Sequence, residues 1–204
     1  MPPLYLIEGL PNAIVATLSV ILLKDMGVDN AKVALFTSLL YLPWVIKPLW
    51  APFVDVMFTK RRWTVAMQAF MAIGMAAVAF SLQGPAFLTL SIAAFWGVAF
   101  CSATHDIAAD GFYLLALTDK QQAFFVGIRS TFYRLANLLA SGGVVYAAGW
   151  FISHGIEVPT AWSMVFIALA VVFLGGAVYH ACVLPRPRAH VARRENYASG
   201  VMRN

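Results

Sequence analysis

Residues 162–184 read WSMVFIALAVVFLGGAVYHACVL. The run holds no Asp, Glu, Lys or Arg. It is long enough for a helix to cross the roughly 30 Å hydrocarbon core of a bilayer, which takes about 20 residues. It lacks the strict alternation of a barrel strand and is too long to be one. Five more stretches of this kind precede it, near Leu4–Leu23, Val33–Val54, Trp63–Leu82, Phe87–Ile107 and Phe124–Phe151. The sequence therefore predicts an all-α membrane protein, a six-transmembrane-helix bundle over residues 1–184 with a basic tail over 185–204. Short connections such as Lys24–Lys32 and Gln83-Gly84-Pro85 make neighbouring helices antiparallel.

Composition agrees. The chain is 61% hydrophobic and 11% charged, against about 25% charged in an ordinary soluble domain. Its mean hydropathy is +0.78. A soluble bundle of this length has too little interior to hide so many apolar side chains, so lipid is the solvent. The net charge of +5 does not point to nucleic acid, because the basic residues lie in short runs between apolar stretches and form no continuous face. Cys101 and Cys182 sit inside apolar stretches and read as buried or lipid-facing thiols. The first apolar run is too long for a signal-peptide core and no A-x-A-like site follows it, so it reads as a retained helix.

The basic residues give an orientation. Lys60, Arg61, Arg62, Lys120, Arg186, Arg188, Arg193 and Arg194 fall on one side. The other side holds Lys24 and Lys32, close to Asp25 and Asp29, with Glu157 and His154. The basic side is expected to be cytoplasmic, with both termini inside. Trp63, Trp150 and Trp162 fall at headgroup level.

Ionisable groups inside a span cost several kcal/mol unless paired or hydrated, so they are candidate functional residues. Here they are Glu8, Lys47, Asp106, Asp110, Arg129 and Arg134, with His105 beside Asp106. Glu8, Asn12 and Ser19 form a stripe on the first helix; Ser102, Asp106 and Asp110 share a face of the fourth. Ser130, Arg134, Asn137 and Ser141 form a stripe on the fifth. The expected topology puts Glu8, Lys47, Asp106, Asp110 and Arg129 in one layer near the cytoplasmic side. Lys47 and Arg129 are expected to neutralise some of the acids, and Arg134 to face a central pathway where its fork holds an anionic solute. His105 reads either as a proton relay beside Asp106 or as a satisfied packing residue. The competing reading of the whole set is a static ion network that fixes helix packing.

Prolines interrupt the second span at Pro43, Pro48 and Pro52, and Gly9 and Pro11 interrupt the first. Gly142, Gly143, Gly149, Gly175 and Gly176 are expected to permit close helix approach.

The run Ala51-Pro52-Phe53-Val54-Asp55 followed by Lys60, Arg61 and Arg62 resembles the loop between helices two and three of the major facilitator superfamily. Ala51 takes the small position and Asp55 the acid; Phe58 stands where that family has glycine. Three further segments, YLIEGLP from Tyr5, YLPWVIKPLWAPFVD from Tyr41 and SATHDIAADG from Ser102, are similar to one branch, the AmpG-like muropeptide permeases and related acetyl-CoA transporters. RSTFYRLANLLASGG from Arg129 adds to the likeness. The resemblance covers the N-terminal six of that family's twelve helices. It implies proton-linked import of anhydromuropeptides across a bacterial inner membrane. It also implies a partner six-helix half, supplied by a missing C-terminal half or by a second copy. The tail over 185–204 resembles the start of the linker between halves.

Three function classes follow. The first is a secondary transporter, or half of one, that moves a polar or anionic solute with protons. The second is a non-transporting membrane subunit or remnant that needs a second half. The third is a membrane acyltransferase, since His105 and Asp110 have the H-x-x-x-x-D spacing of a glycerolipid acyltransferase pair. Nothing else in the chain supplies an oxyanion site or an acyl-donor signature, so the expectation is that the chain is not an enzyme. There is no Gly-rich phosphate loop for ATP-driven transport, no metal-ligand spacing and no cofactor motif.

Overall fold

The structure is a computed structural model and describes residues 2–185. The expected tail, with Arg186, Arg188, Arg193 and Arg194, lies outside the described residues. Six helices are long and apolar enough to cross a membrane: α1 (Pro3–Asp25), α2 (Asn30–Leu49), α3 (Lys60–Ser81), α4 (Phe87–Ala116), α5 (Asp119–Ser153) and α6 (Val158–Val183). A short helix, Ala51–Val56, follows α2. No strand occurs among the described residues, and the chain is a multi-pass, all-helical membrane protein.

Local chemistry sets the helix ends. The Asp29 carboxylate accepts from the backbone N–H groups of Ala31, at 2.9 Å, and Lys32, at 3.4 Å, and so caps α2. Thr59 caps α3 through the N–H of Arg62, which starts this helix three residues before the expected Trp63. Thr118 and Gln121 form a capping box at the start of α5. That box stops α4 late and starts α5 early: α4 runs to Ala116 rather than Ile107, and α5 begins at Asp119 rather than Phe124. Charge at Asp110 does not end α4, because a cation from α5 meets it.

The prolines of the expected second span, Val33–Val54, divide it rather than bend it. Pro43, Pro48 and Pro52 each take a first-turn position in a new segment, where a missing N–H costs nothing. The segments are Leu42–Ile46, a tight 3₁₀ turn at Lys47–Leu49, and Ala51–Val56. Two other helices widen instead. α1 becomes a π-helix at Ile14–Leu18, just after Pro11, and α5 does so at Leu139–Val144. Side chains cover backbone carbonyls at both places. Ser19 donates to the Val15 carbonyl, and Ser141 to that of Asn137 at 2.6 Å. The Asn137 amide donates to the Tyr133 carbonyl at 3.0 Å.

Lipid tails are as apolar as leucine, so packing and polar ties rather than hydrophobic burial hold such a bundle together. α3 lies along both α4 and α6, while α1 packs on α5 and α4. The shared core contains Leu18, Leu22, Met71, Met75, Val98 and Trp162, with Phe95 and Phe166 edge-to-face at 5.7 Å. Close approach occurs at Gly9, where an added Cβ would sit 2.9 Å from the Ala136 Cβ and 3.0 Å from the Tyr133 carbonyl oxygen. Gly176 approaches Ile7 of α1 in the same way. At Gly142, Gly143, Gly149 and Gly175 an added Cβ would meet nothing within 4 Å, so these four make no close approach among the described residues. Cys101 is half-buried, Cys182 is exposed, and both are free thiols.

Candidate functional site

Two helices present the same pair of side chains one turn apart. On α1 these are Tyr5 and Glu8; on α4 they are Tyr113 and Asp110. Residues three apart share a helix face, so each helix offers a ring and a carboxylate together. Arg129 of α5 enters between them. Its Nη2 lies 2.5 Å from Asp110 Oδ1 and 3.7 Å from Glu8 Oε1. Its guanidinium carbon stands 4.8 Å from the Tyr5 ring centre and 5.8 Å from that of Tyr113. The two rings meet edge-to-face at 5.9 Å. Arg129 is therefore held by charge on two sides and by ring faces on two others.

The loop between α4 and α5 fixes where Arg129 starts from. The Tyr113 hydroxyl donates to the Gln122 carbonyl. The Gln122 amide donates to the carbonyls of Leu117, at 3.0 Å, and Leu114, at 3.3 Å. These bonds join the end of α4 to the first turn of α5.

Burial separates the two acids. Glu8 is 4% exposed, whereas the Asp110 side chain is 41% exposed. Glu8 Oε2 and the Tyr5 hydroxyl are buried without a hydrogen-bond partner among the described residues. Asp106 lies one turn from Asp110 and accepts from the Trp44 indole N–H of α2 at 3.1 Å. Lys47 acts on Asp106 and Glu8 through space, although among the described residues it forms no ion pair. Three carboxylates face two cations here, which leaves one net negative charge if all five are ionised.

The structure thus brings together Glu8, Asp110 and Arg129, with Asp106 and Lys47 coupled to them. Asn12 is half-buried on α1 beyond this cluster, and Asn137 is tied to the α5 backbone. Arg134 is exposed on α5, as are Ser130 and Ser141, while Ala136 and Ala140 face the bundle. The polar stripe of α5 therefore points away from its own six helices.

His105 is not beside Asp106 in space. One residue along a helix is a turn of about 100°, and that rotation carries the His105 ring into the α3–α4–α6 interior. There its Nε2 meets the Gln68 amide nitrogen at 2.9 Å, and the Gln68 amide oxygen meets His180 Nδ1 at 3.0 Å. The acyltransferase-like spacing therefore makes no pair: Gln68 holds His105 and Arg129 holds Asp110.

The loop-motif residues form a second layer. Asp55 pairs with Lys60, which is buried with its stem against Gly111 of α4. Arg61 donates to the carbonyls of Leu184, at 2.8 Å, and Ala181 at the end of α6. Arg62 is exposed, and Ala51 opens the short helix. Sequence reasoning missed Tyr5, Trp44, Gln68, Tyr113 and His180. The i, i+3 spacing to Glu8 and Asp110 is a signal for the two tyrosines. Gln68 carries no charge and so escaped a search for ionisable groups.

Residues 8–124 match the model of the BT1 family. A protein of Rickettsia conorii named as a transporter, AmpG 4, is 24% identical over 189 residues, which is 86% of this chain and 42% of that protein. The anhydromuropeptide permease of Escherichia coli K12 is 31% identical over 154 residues, 70% of this chain and 30% of that protein. A Rickettsia typhi protein named as a transporter, AmpG 3, is 32% identical over 130 residues, 55% of this chain and 30% of that protein. The chain spans less than half the length of these relatives.

Proposed function

The chain belongs to the BT1 family, and from that premise we propose that it is half of a secondary transporter that moves a polar or anionic solute together with protons. The observation that carries this is the Glu8–Arg129–Asp110 cluster on three helices, with a buried Glu8 oxygen left without a partner among the described residues. A membrane span keeps such an expensive group where ions or solutes must be exchanged. Glu8 is the proton carrier, Arg129 its resident counter-charge, and Arg134 the group that meets the anionic part of the solute. The name of the Escherichia coli relative supports an anhydromuropeptide as that solute. The protein works in a bacterial inner membrane with both termini in the cytoplasm, as the placement of Lys60, Arg61, Arg62 and Lys120 supports.

The test is uptake into liposomes of labelled anhydromuropeptide under an inward proton gradient. The full chain is reconstituted alone and with a separately expressed six-helix half from a relative. Glu8→Gln is expected to reduce gradient-driven uptake at least tenfold. Unchanged uptake in that variant removes Glu8 from the coupling.

A second reading, a subunit that moves nothing without its other half, is favoured by one observation. The polar stripe of α5, with Arg134, is exposed, and a polar face turned to lipid is costly. Uptake only when both halves are present supports it, and uptake by the chain alone sinks it.

A further inference from the structure

Outside the charge cluster, one set of buried polar side chains is left over. His105, Gln68 and His180 come from α4, α3 and α6, and are 0%, 0% and 2% exposed. The Gln68 amide bridges the two rings, with its nitrogen 2.9 Å from His105 Nε2 and its oxygen 3.0 Å from His180 Nδ1.

The chemistry of an amide constrains both rings at once. Its NH₂ only donates and its oxygen only accepts. With the nitrogen toward His105, His105 Nε2 must be bare, so that ring carries its proton on Nδ1. The oxygen then faces His180, which must also carry its proton on Nδ1. If the amide flips, both rings change together, and each carries its proton on Nε2. The two histidines therefore always share one tautomer while the bridge is intact.

The two states are not equivalent. His105 Nδ1 is buried without a partner among the described residues, which makes a proton there costly. That cost weighs against the state in which both rings carry the proton on Nδ1.

We propose that Gln68, His105 and His180 form a single tautomer-coupled unit, separate from the carboxylate cluster, in which an amide flip reverses both tautomers. An added proton on His105 makes both its nitrogens donors and turns the amide oxygen toward it. An added proton on His180 turns the oxygen the other way. Two added protons would set a donor against the NH₂ group and break the bridge. The bridge therefore tolerates at most one added proton, on α4 or on α6. Among the described titratable groups, only His180 acts electrostatically on His105. Asp106 of α4 is engaged by Trp44, Asp110 of α4 and Glu8 of α1 by Arg129, Lys60 of α3 by Asp55, and Arg61 of α3 by the end of α6.

The experiment uses the full chain with His154→Gln and His190→Gln, labelled with nitrogen-15 histidine in lipid nanodiscs. NMR shifts of the ring nitrogens then report the tautomers of the two remaining rings. Both rings are expected in one shared tautomer, and across about pH 5 to 8 never both as imidazolium. Gln68→Glu, which only accepts, is expected to place a proton on His105 Nε2 and one on His180 Nδ1, so that the two rings become unlike. Gln68→Leu covers a failure of that variant to fold. It is expected to uncouple the two rings, each then taking the tautomers that its own surroundings favour. Unlike tautomers in the parent chain overturn the proposal. So do two imidazolium rings at once, a shared tautomer that survives in Gln68→Glu, or parent-like shifts at both rings in Gln68→Leu.

Discussion

Gly9 of α1 rests against Ala136 of α5 so closely that a methyl group on the glycine would stand 2.9 Å from the alanine Cβ. The Tyr133 carbonyl, at 3.0 Å from the same point, leaves no room on the other side. One turn along α5, Arg129 reaches back to Glu8, so contact and charge join the same two helices.

Gly9→Ala should therefore push α1 and α5 apart. Overpacking of this kind costs about 1–3 kcal/mol. Unfolding of the chain in mixed micelles is the measurement. Gly142→Ala, where an added Cβ meets nothing within 4 Å among the described residues, should cost far less.

Removing Arg129 should hurt mainly through Glu8. Leaving a buried charge without its partner costs about 3–5 kcal/mol, whereas exposed pairs are worth about 0–1 kcal/mol. Glu8 is 4% exposed and the Asp110 side chain 41%. Arg129→Met should destabilise strongly, Arg129→Met with Glu8→Gln should recover most of the loss, and Arg129→Met with Asp110→Asn should recover little. A double-mutant cycle by equilibrium unfolding separates the two. Equal recovery would show that the carboxylates are interchangeable.

Trp44→Phe keeps a ring in place and removes the indole N–H from Asp106. A hydrogen bond to a charged group is worth about 1.5–3 kcal/mol. The loss should be mostly absent when Asp106 is already Asn. Tryptophan fluorescence and unfolding of the two single variants and the double variant give the coupling.

Arg61→Ala should loosen the end of α6. A cation on the last carbonyls of a helix contributes about 0.3–1 kcal/mol. Amide hydrogen exchange at the C-terminal turn of α6 should quicken several-fold, while exchange in the middle of α3 should stay as it was. Arg62→Ala, an exposed neighbour, is the control.

The count of six helices was readable because lipid imposes length and hydropathy on each span separately, and each can be seen without the others. The grouping of Glu8, Asp110 and Arg129 was readable in part, because topology gives depth. Rotation about each helix was not. His105 and Asp106 are adjacent in the chain yet serve different interiors, and only the packing of α4 between α3 and α1 decides which side each faces. The ends of α4 and α5 were hidden for a related reason: Asp110 and Gln122 lie beyond the apolar runs, and their partners are on other elements. The five glycines could not be sorted from sequence, because a small residue marks space without saying whether a neighbour uses it.

The two π turns carry a consequence for the ancestry of the chain. A turn closed five residues back instead of four holds one residue more than the α-helix around it. Taking that residue out of Ile14–Leu18 or Leu139–Val144 would rotate everything beyond it by about 100°. Leu22 and Ala148, both buried beyond those turns, would then swing out of the core. Single-residue gaps among relatives should therefore be rare at these two places, or should arise together with a rearranged far half of both helices. The wide turns act as genetic bookmarks: they are insertions that the packing beyond them has made permanent.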